Sequence, residues 1–300
     1  MAWGLEIDSE VLRLCRAEAR GGRLRLRKRA EVAAPAGLIR PSLKEGNVSD
    51  LAALTGLVRD LRKQTGCRGW VQLALPDPVF MLRTVVTDTL PEARAEARRF
   101  LRWQARDLLP FPAEDARLDF LRSGTGPDGR LQTTCLMARD RVLAEYEQAV
   151  ADAGLAVAVL DARSVSLAQA ASAGVADGTV GLLGIAETRS TLLVVQERQP
   201  RFWRILTEGG NAWSGDGRSH LVREVVDTVS FSSESEGIRP MDRLILAGSS
   251  PLVDDAASAL RDWLEVPITL LDLRATLRAE GHPDDLVHWG AAIGAAIRPC

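Results

Sequence analysis

Residues 4–19, GLEIDSEVLRLCRAEA, and residues 181–208, GLLGIAETRSTLLVVQERQPRFWRILTE, decide the fold. The first reads as strand, turn and strand, and GGRLRLRKRAEV adds a third strand that alternates apolar and charged residues after Gly21-Gly22. The second reads as strand, turn, strand, turn, strand. A shift of 178 residues carries Ile7 onto Ile185. Each meander is followed by helical and strand patterns. After the first come a loop from Pro35 to Asn47, a helix to about Thr65 and the strand Trp70–Leu75, closed by Pro76. Asn47, Ser49 and Asp50 are the candidate caps of that helix, with Leu51, Leu54, Leu57, Val58 and Leu61 on one face. After the second come Gly209-Gly210, a helix from about Leu221 to Ser233, the strand RLILAG, a helix from about Val253 to Leu264, the strand PITLL and the small-residue segment HWGAAIGAAI. Two such halves predict a duplicated α/β architecture.

The stretch between them has a different rhythm. Val79–Val86 reads as a strand. Pro91 then opens a long helix to Leu109, since proline suits a first helical turn, and Pro110 and Pro112 end it. LDFLRSGTGPDGRLQTTCLMA reads as a hairpin looped at Gly124–Gly129. Arg141–Ala153 is a helix stopped by Gly154; VAVLDA is a strand, and Ser164–Ala173 a further helix. On the long helix, Ala93, Ala97, Phe100 or Leu101, Gln104 and Leu108 trace an apolar stripe. Arg94, Arg98, Arg99, Arg102 and Arg106 cover much of the rest. Two readings stand: a solvated arginine face over a packed stripe, or a surface for acidic partners or lipid headgroups.

Composition sets the outer bounds. The 300 residues carry a formal charge of −2, with 46% hydrophobic and 26% charged residues, as in ordinary globular proteins. That balance argues against nucleic-acid or anionic-membrane binding by bulk charge. Cys15, Cys67, Cys135 and Cys300 lie far apart, without zinc-ligand spacing, and suit a reducing compartment. MAWGLEIDSE does not read as a signal peptide, and no stretch approaches the roughly 18–20 apolar residues of a spanning helix. Phosphate-loop, zinc-protease, serine-hydrolase and kinase signatures are absent from the sequence. His282 near Asp284 and Asp285 reads better as a polar loop than as a metal site, and Ser219-His220 as surface chance.

Three small-residue turns are more informative: Ile7-Asp8-Ser9-Glu10, Ile185-Ala186-Glu187-Thr188 and Ala247-Gly248-Ser249-Ser250. Around them the sequence resembles the actin-like ATPase superfamily and, within it, the PilM family of type IV pilus assembly proteins. GLEIDSEVLRL is similar to the family's first phosphate hairpin, and GLIRPSLKEGNVSD to the loop before its first helix. LALPDPVFMLRTV and LPEARAEARRFLRWQARDLLPFPAEDARLDF resemble its inserted subdomain. The order of helix, PFP, acidic run and strand there is the most specific feature. VLAEYEQAVADAGLAVAVLDARSVSLAQA resembles the return to the first domain, DRLILAGSSPLVDDAASALRDWLEVPITLLD the adenosine-loop region, and WGAAIGAAIR the closing helix.

The resemblance implies a duplicated actin-like (ribonuclease H-like) α/β fold with a small inserted α+β subdomain. Residues 1–72 and 150–175 would form the first domain, 73–149 the insert and 176–300 the second domain. It implies ATP with Mg²⁺ in the interdomain cleft. It also implies a PilN-like inner-membrane partner whose N-terminal peptide sits in a groove beside the insert. The chain would then be a cytoplasmic scaffold at the inner face of the inner membrane, in contact with other pilus assembly components. The nucleotide candidates are Asp8, Ser9, Glu10, Glu187, Thr188, Gly209, Gly210, Gly248, Ser249 and Ser250. Arg83, Arg102 and Phe111 are the partner-binding candidates, Phe111 reading chiefly as a packing anchor, and Glu6 and Asp8 the candidate metal ligands.

The chain also departs from the family pattern. Where the family carries Asp-Ile-Gly at both turns, this sequence has Glu6-Ile7-Asp8 and Gly184-Ile185-Ala186; the glycine run of the adenosine loop is Gly248-Ser249-Ser250, and the segment after Gly209-Gly210 is shortened to NAWSGDGRS. A phosphate hairpin works by close approach of backbone N–H groups, which glycine permits. A carboxylate about 4 Å from a phosphate charge costs about 4 kcal/mol at an effective dielectric of about 20. A cation held by Glu6 or Asp8 would reverse that sign. These residues favour a cleft with weak or no ATP hydrolysis and no tightly held nucleotide. Two alternatives stay open. One is an active ATPase or phosphotransferase using Asp8, Glu10 or Glu187; the other is a cytoplasmic component of a type II secretion platform.

Overall fold

A computed structural model describes residues 2–20, 23–126, 128–172, 178–186, 189–213, 217–235, 238–248, 250–274 and 286–298. The first meander forms β1 (Ala2–Ile7), β2 (Val11–Arg20) and β3 (Arg23–Ala33). With β4 (Trp70–Leu75) and β8 (Ala156–Ala162) it makes a five-stranded sheet in the order β3-β2-β1-β4-β8. The second meander forms β9 (Thr179–Ile185), β10 (Ser190–Gln196) and β11 (Gln199–Leu206). With β12 (Arg243–Ala247) and β13 (Ile268–Leu270) it makes a second sheet in the order β11-β10-β9-β12-β13. The two orders are the same once each strand is matched to its counterpart, with the first three strands antiparallel and the rest parallel. A third sheet, β5-β7-β6, comes from β5 (Phe80–Thr87), β6 (Ala116–Thr125) and β7 (Leu131–Arg139).

Helix α1 (Leu51–Thr65) starts where Asp50, of the three candidate caps, accepts the Ala53 N–H at 2.9 Å. Asn47 instead holds the preceding loop, its Oδ1 accepting the Ser42 N–H, and the Ser49 hydroxyl donates to the Gly37 carbonyl. The helix stops at Gly66, whose φ of 67° is left-handed. Its buried face is Leu54, Thr55, Val58, Leu61 and Thr65; Leu51, expected on that face, lies at the exposed first turn. Helix α3 (Asp140–Asp152) packs on α1 in one core, Val142, Tyr146 and Val150 meeting Leu54, Val58 and Leu61 beneath Leu5, Ile7, Leu12 and Leu14. Because β4 lies in the first sheet and α3 packs on α1, the segment building the third sheet runs from Phe80 to Arg139, inside the 73–149 expected from sequence.

Helix α2 is shorter than expected, Arg94–Gln104 instead of 91–109. Pro91 lies before a bend at Glu92-Ala93, Ala93 is extended with no side-chain cap, and the chain tightens into a 3₁₀ turn at Arg106–Leu108. Leu109 is extended, as a residue before proline tends to be. The buried stripe is therefore Ala97, Leu101 and Ala105, packed on Val85, Leu118, Phe120 and Met137, while Ala93 and Leu108 are exposed.

The second half carries α4 (Arg163–Ser172), a short α5 (Gly210–Trp213), α6 (Arg218–Ser235) and α7 (Ser250–Arg261). Leu183, Ile185, Leu192 and Val194 pack with Leu221, Val225, Ala256 and Leu260. The closing helix α8 (Gly290–Ile297) corrects the assignment of 176–300 to the second unit, for it packs on β1, β2, β4 and α4. Gly290–Ala296 are all buried, and a helix with no polar face must be enclosed on every side. Small residues make the approach possible: a Cβ on Gly4 would stand 1.9 Å from the Ala292 carbonyl oxygen, and one on Gly294 would stand 1.7 Å from that of Ser166. Among the described residues, no helix is long and apolar enough to cross a membrane.

Candidate functional site

The two meanders place equivalent turns at equivalent points. The Asp8 N–H donates to the Val11 carbonyl and the Ala186 N–H to the Arg189 carbonyl, both at 3.0 Å. Ile7 pairs with Leu12, and Ile185 with Ser190. On the parallel side Glu6 lies opposite Ala74, and Gly184 opposite Ala247. Glu6-Ile7-Asp8 and Gly184-Ile185-Ala186 therefore hold the same positions, as the 178-residue shift requires.

The first turn is an ion cluster. Glu6 is fully buried, and its carboxylate accepts from Arg163 Nε at 2.8 Å, with Arg13 Nη1 3.5 Å from its second oxygen. Arg163 also lies 3.2 Å from Asp8, and Asp8 accepts the Ser9 N–H at 2.7 Å. Burial works against the charge on Arg163, but Glu6, Asp8 and Asp77 outweigh it and hold the guanidinium pKa above its ordinary range. Asp77, in the Pro76-Asp77-Pro78 turn after β4, is buried and accepts the Ser164 N–H at 2.9 Å at the start of α4. Burial pushes its carboxyl pKa up, against the pull of that hydrogen bond and of Arg163. Neither Arg163 nor Asp77 carried a signal in the sequence: Arg163 lies 157 positions from Glu6.

A recess of about 90 Å³ separates Asp8, Ser9, Asp77 and Arg163 from Gly184, Ala186 and Arg189. Ordinary ligand sites measure roughly 300–1,000 Å³. The Gly210 N–H, an expected phosphate donor, is bonded to the Ala186 carbonyl at 2.6 Å, and Gly209 is buried beside it. Gly248 is small for packing, since a Cβ there would stand 2.8 Å from the Ile185 carbonyl oxygen. Ser250 is the first residue of α7, and Glu10 is exposed at the turn. Glu187, Thr188, Ser249, His282, Asp284, Asp285 and Cys300 lie outside the described residues. Among the described residues no three His, Cys, Asp or Glu side chains gather as metal ligands; Glu6 and Asp8 share Arg163. Cys15, Cys67 and Cys135 are buried free thiols, and burial raises the pKa of Cys67 to about 11 and of Cys135 to about 12.

A larger groove of about 810 Å³ opens between β8 and the insert. β8 is the outermost strand of the first sheet, and Val157–Leu160 form one wall. Leu136 and Ala138 of β7 and Arg98, Arg99 and Arg102 of α2 form much of the other. Its charges are mixed: Arg117 bonds Asp140 and Glu147 at 2.7 and 2.6 Å on the rim. Of the three partner candidates only Arg102 lines this groove. Arg83 lines a separate crevice beside β11. Phe111 is 8% exposed under the Arg139 guanidinium, which is itself fixed by Asp115 at 2.8 Å; it is a packing anchor.

Two sheets of one strand order, each opening with a hairpin whose turn meets the other's at a common recess, define a duplicated actin-like ATPase fold. The chain belongs to the family described as type IV pilus assembly protein PilM, whose model matches residues 4–216. Among solved structures it is similar to the PilM–PilN type IV pilus biogenesis complex, at 22% identity over 99% of this chain and 98% of that one, with a TM-score of 0.80. It is also similar to the cytoplasmic domain of EpsL, an inner-membrane component of the type II secretion system of Vibrio cholerae, at 12% identity over 99% and 94% of the two chains, with a TM-score of 0.54. Comparison with curated proteins finds no significant match.

Proposed function

We propose that this protein is a scaffold of the type IV pilus machinery. It holds the N-terminal peptide of a PilN-like inner-membrane protein in the groove between β8 and the insert, and works at the inner face of that membrane through this tether. One observation carries the reading: the outermost strand β8 borders a groove of about 810 Å³ whose walls combine apolar side chains (Val157, Leu160, Leu136, Ala138) with the arginines of α2. A peptide there adds its main-chain hydrogen bonds to the sheet and its alternate side chains to the wall. The solved complex of a PilM with its PilN is consistent with such a partner.

The same reading makes the actin-like cleft structural. The first-turn acids Glu6 and Asp8 already share Arg163, and the recess beside Asp8 measures about 90 Å³ among the described residues, which favours a cleft without a magnesium-bound triphosphate. Arg163 supplies the positive charge that a cation would otherwise bring.

The test is calorimetric titration of the full chain with the N-terminal peptide of a PilN-like protein from the same organism. Ala158 is exposed on β8, so Ala158→Trp fills the groove without touching the core. Binding is expected to weaken by about tenfold or more in that variant, and less in Arg102→Glu. Unchanged affinity in Ala158→Trp overturns the reading.

A further inference from the structure

A second crevice, distinct from the groove at β8, lies between the insert and the second sheet. β5 and β11 are each the outermost strand of their sheets, and they run alongside it. It consists of two recesses, of about 870 and 370 Å³, joined through Leu82, Arg83, Trp203 and Arg204. Arg201 ties β11 to the insert's sheet, reaching the Gln132 side chain of β7 at 2.7 Å and the Ser123 carbonyl of β6.

The chemistry of this crevice is one-sided. Arg83, Arg189 and Arg204 line it, and among the described residues no carboxylate does. None of the three is ion-paired with a described residue; Arg83 donates only to the carbonyl of its neighbour Leu82. All three are exposed. Elsewhere the arginines are commonly committed: Arg94 and Arg98 to Asp119, Arg117 to Asp140 and Glu147, Arg139 to Asp115, Arg163 to Glu6. Three unmatched guanidinium groups on one concave surface repel each other and attract an anion, with planar forks suited to carboxylates. Trp203, 6% exposed, belongs to both recesses and buries an indole N–H without an acceptor. The floor is apolar, with Phe80 and Leu82 on one side and Trp203 on the other.

We infer that this crevice binds an extended acidic peptide segment of a partner protein. The unmatched arginines select its carboxylates, the free strand edges accept its main chain, and the apolar floor takes its alternate side chains. The two facing edges and that floor favour a peptide over a small phosphate-bearing ligand. The site is independent of the groove at β8, whose charges are mixed.

The probe is a fluorescein-labelled decapeptide alternating Val and Glu, titrated into the full chain by fluorescence anisotropy. The counterpart alternating Val and Lys is the control. The Glu peptide is expected to bind, to weaken as salt is raised, and to lose about tenfold or more in affinity in an Arg83→Gln/Arg204→Gln variant. Both residues are exposed, and an unchanged melting temperature shows that the variant folds. Ala158→Trp leaves this binding unchanged, which separates the site from the one proposed above. Equal binding of the Glu and Lys peptides overturns the inference, as does full retention in the double variant. Inorganic tripolyphosphate that binds with the same arginine dependence, where the peptide does not, assigns the crevice to a small anion and overturns it equally. N-methylation of alternate peptide amides is expected to weaken binding, and its failure to do so removes the strand-pairing part.

Discussion

Arg163, at the first turn of α4, donates from Nε to Glu6 at the end of β1 at 2.8 Å, and Glu6 is fully buried. The bond ties the turn of the first meander to the helix that bridges the two sheets, since Leu167 and Ala168 of α4 share a core with Leu182, Leu193 and Ile245. Removing one member of a buried pair leaves the other charge uncompensated, at a cost of about 3–5 kcal/mol. Arg13 remains 3.5 Å from Glu6, so Arg163→Ala is expected near the lower end, about 3 kcal/mol, in urea unfolding. Arg163→Met with Glu6→Gln is expected to recover part of that loss, because Glu6 no longer leaves a buried carboxylate without its main partner. A double variant whose loss equals the sum of the two single losses would show that the pair is not coupled.

The same bond predicts the response to nucleotide. A ligand present at 100 times its Kd adds about 2.7 kcal/mol of stability. Millimolar Mg-ATP is therefore expected to leave the melting temperature unchanged, since the acids at the first turn are satisfied from within. A dose-dependent rise would show that the cleft opens far beyond the recess described here.

Much of this arrangement was legible in the sequence, and for a local reason. Apolar runs broken by short polar turns in GLEIDSEV and LLGIAETR mark strands whose partner lies one turn away, so the meanders and their 178-residue relation follow from neighbours alone. The end of α2 was not legible. Ala105 and Leu108 continue the apolar spacing, and nothing short of the backbone shows that Leu108 leaves the stripe through a 3₁₀ turn. Glu6 and Asp8 were identified as the changed residues of the first turn, but their counter-ion comes from an arginine that no spacing rule connects to them. The walls of both grooves join segments far apart in the chain, and Arg83 and Arg102 read alike in sequence although they face different clefts.

Asp77 gives a pH signature. Its carboxyl pKa is raised in the folded protein, chiefly by burial. The folded state therefore binds a proton that the unfolded chain releases near pH 3.9. Its contribution to stability is full below that pH and is lost as pH rises through the higher folded value. Asp77→Asn removes the titration and keeps an oxygen for the Ser164 N–H. Its stability relative to the parent is expected to improve from pH 4.5 to pH 8, measured by urea unfolding at each pH. Asp77→Ala leaves the Ser164 N–H without its acceptor and is expected to cost about 1–2 kcal/mol more than Asn. A pH-independent difference between Asp77→Asn and the parent would refute the raised pKa.

Two glycines with opposite surroundings test the packing of the closing helix. A Cβ on Gly294 would stand 1.7 Å from the Ser166 carbonyl oxygen, backbone against backbone, so no side-chain rotation relieves it. Gly294→Ala must push α8 off α4 and disturb Ile293 and Ala296, which pack with Cys15 and Ala17 of the first sheet. A loss of about 3 kcal/mol or more is expected. Gly56, inside α1, has nothing within 4 Å of the same added atom. There alanine lowers the entropy of the unfolded chain and meets no clash, so Gly56→Ala is expected to gain about 0.5–1 kcal/mol. Thermal and urea unfolding of both variants decide the matter. Equal effects would mean that α8 does not sit against α4 as closely as these contacts require.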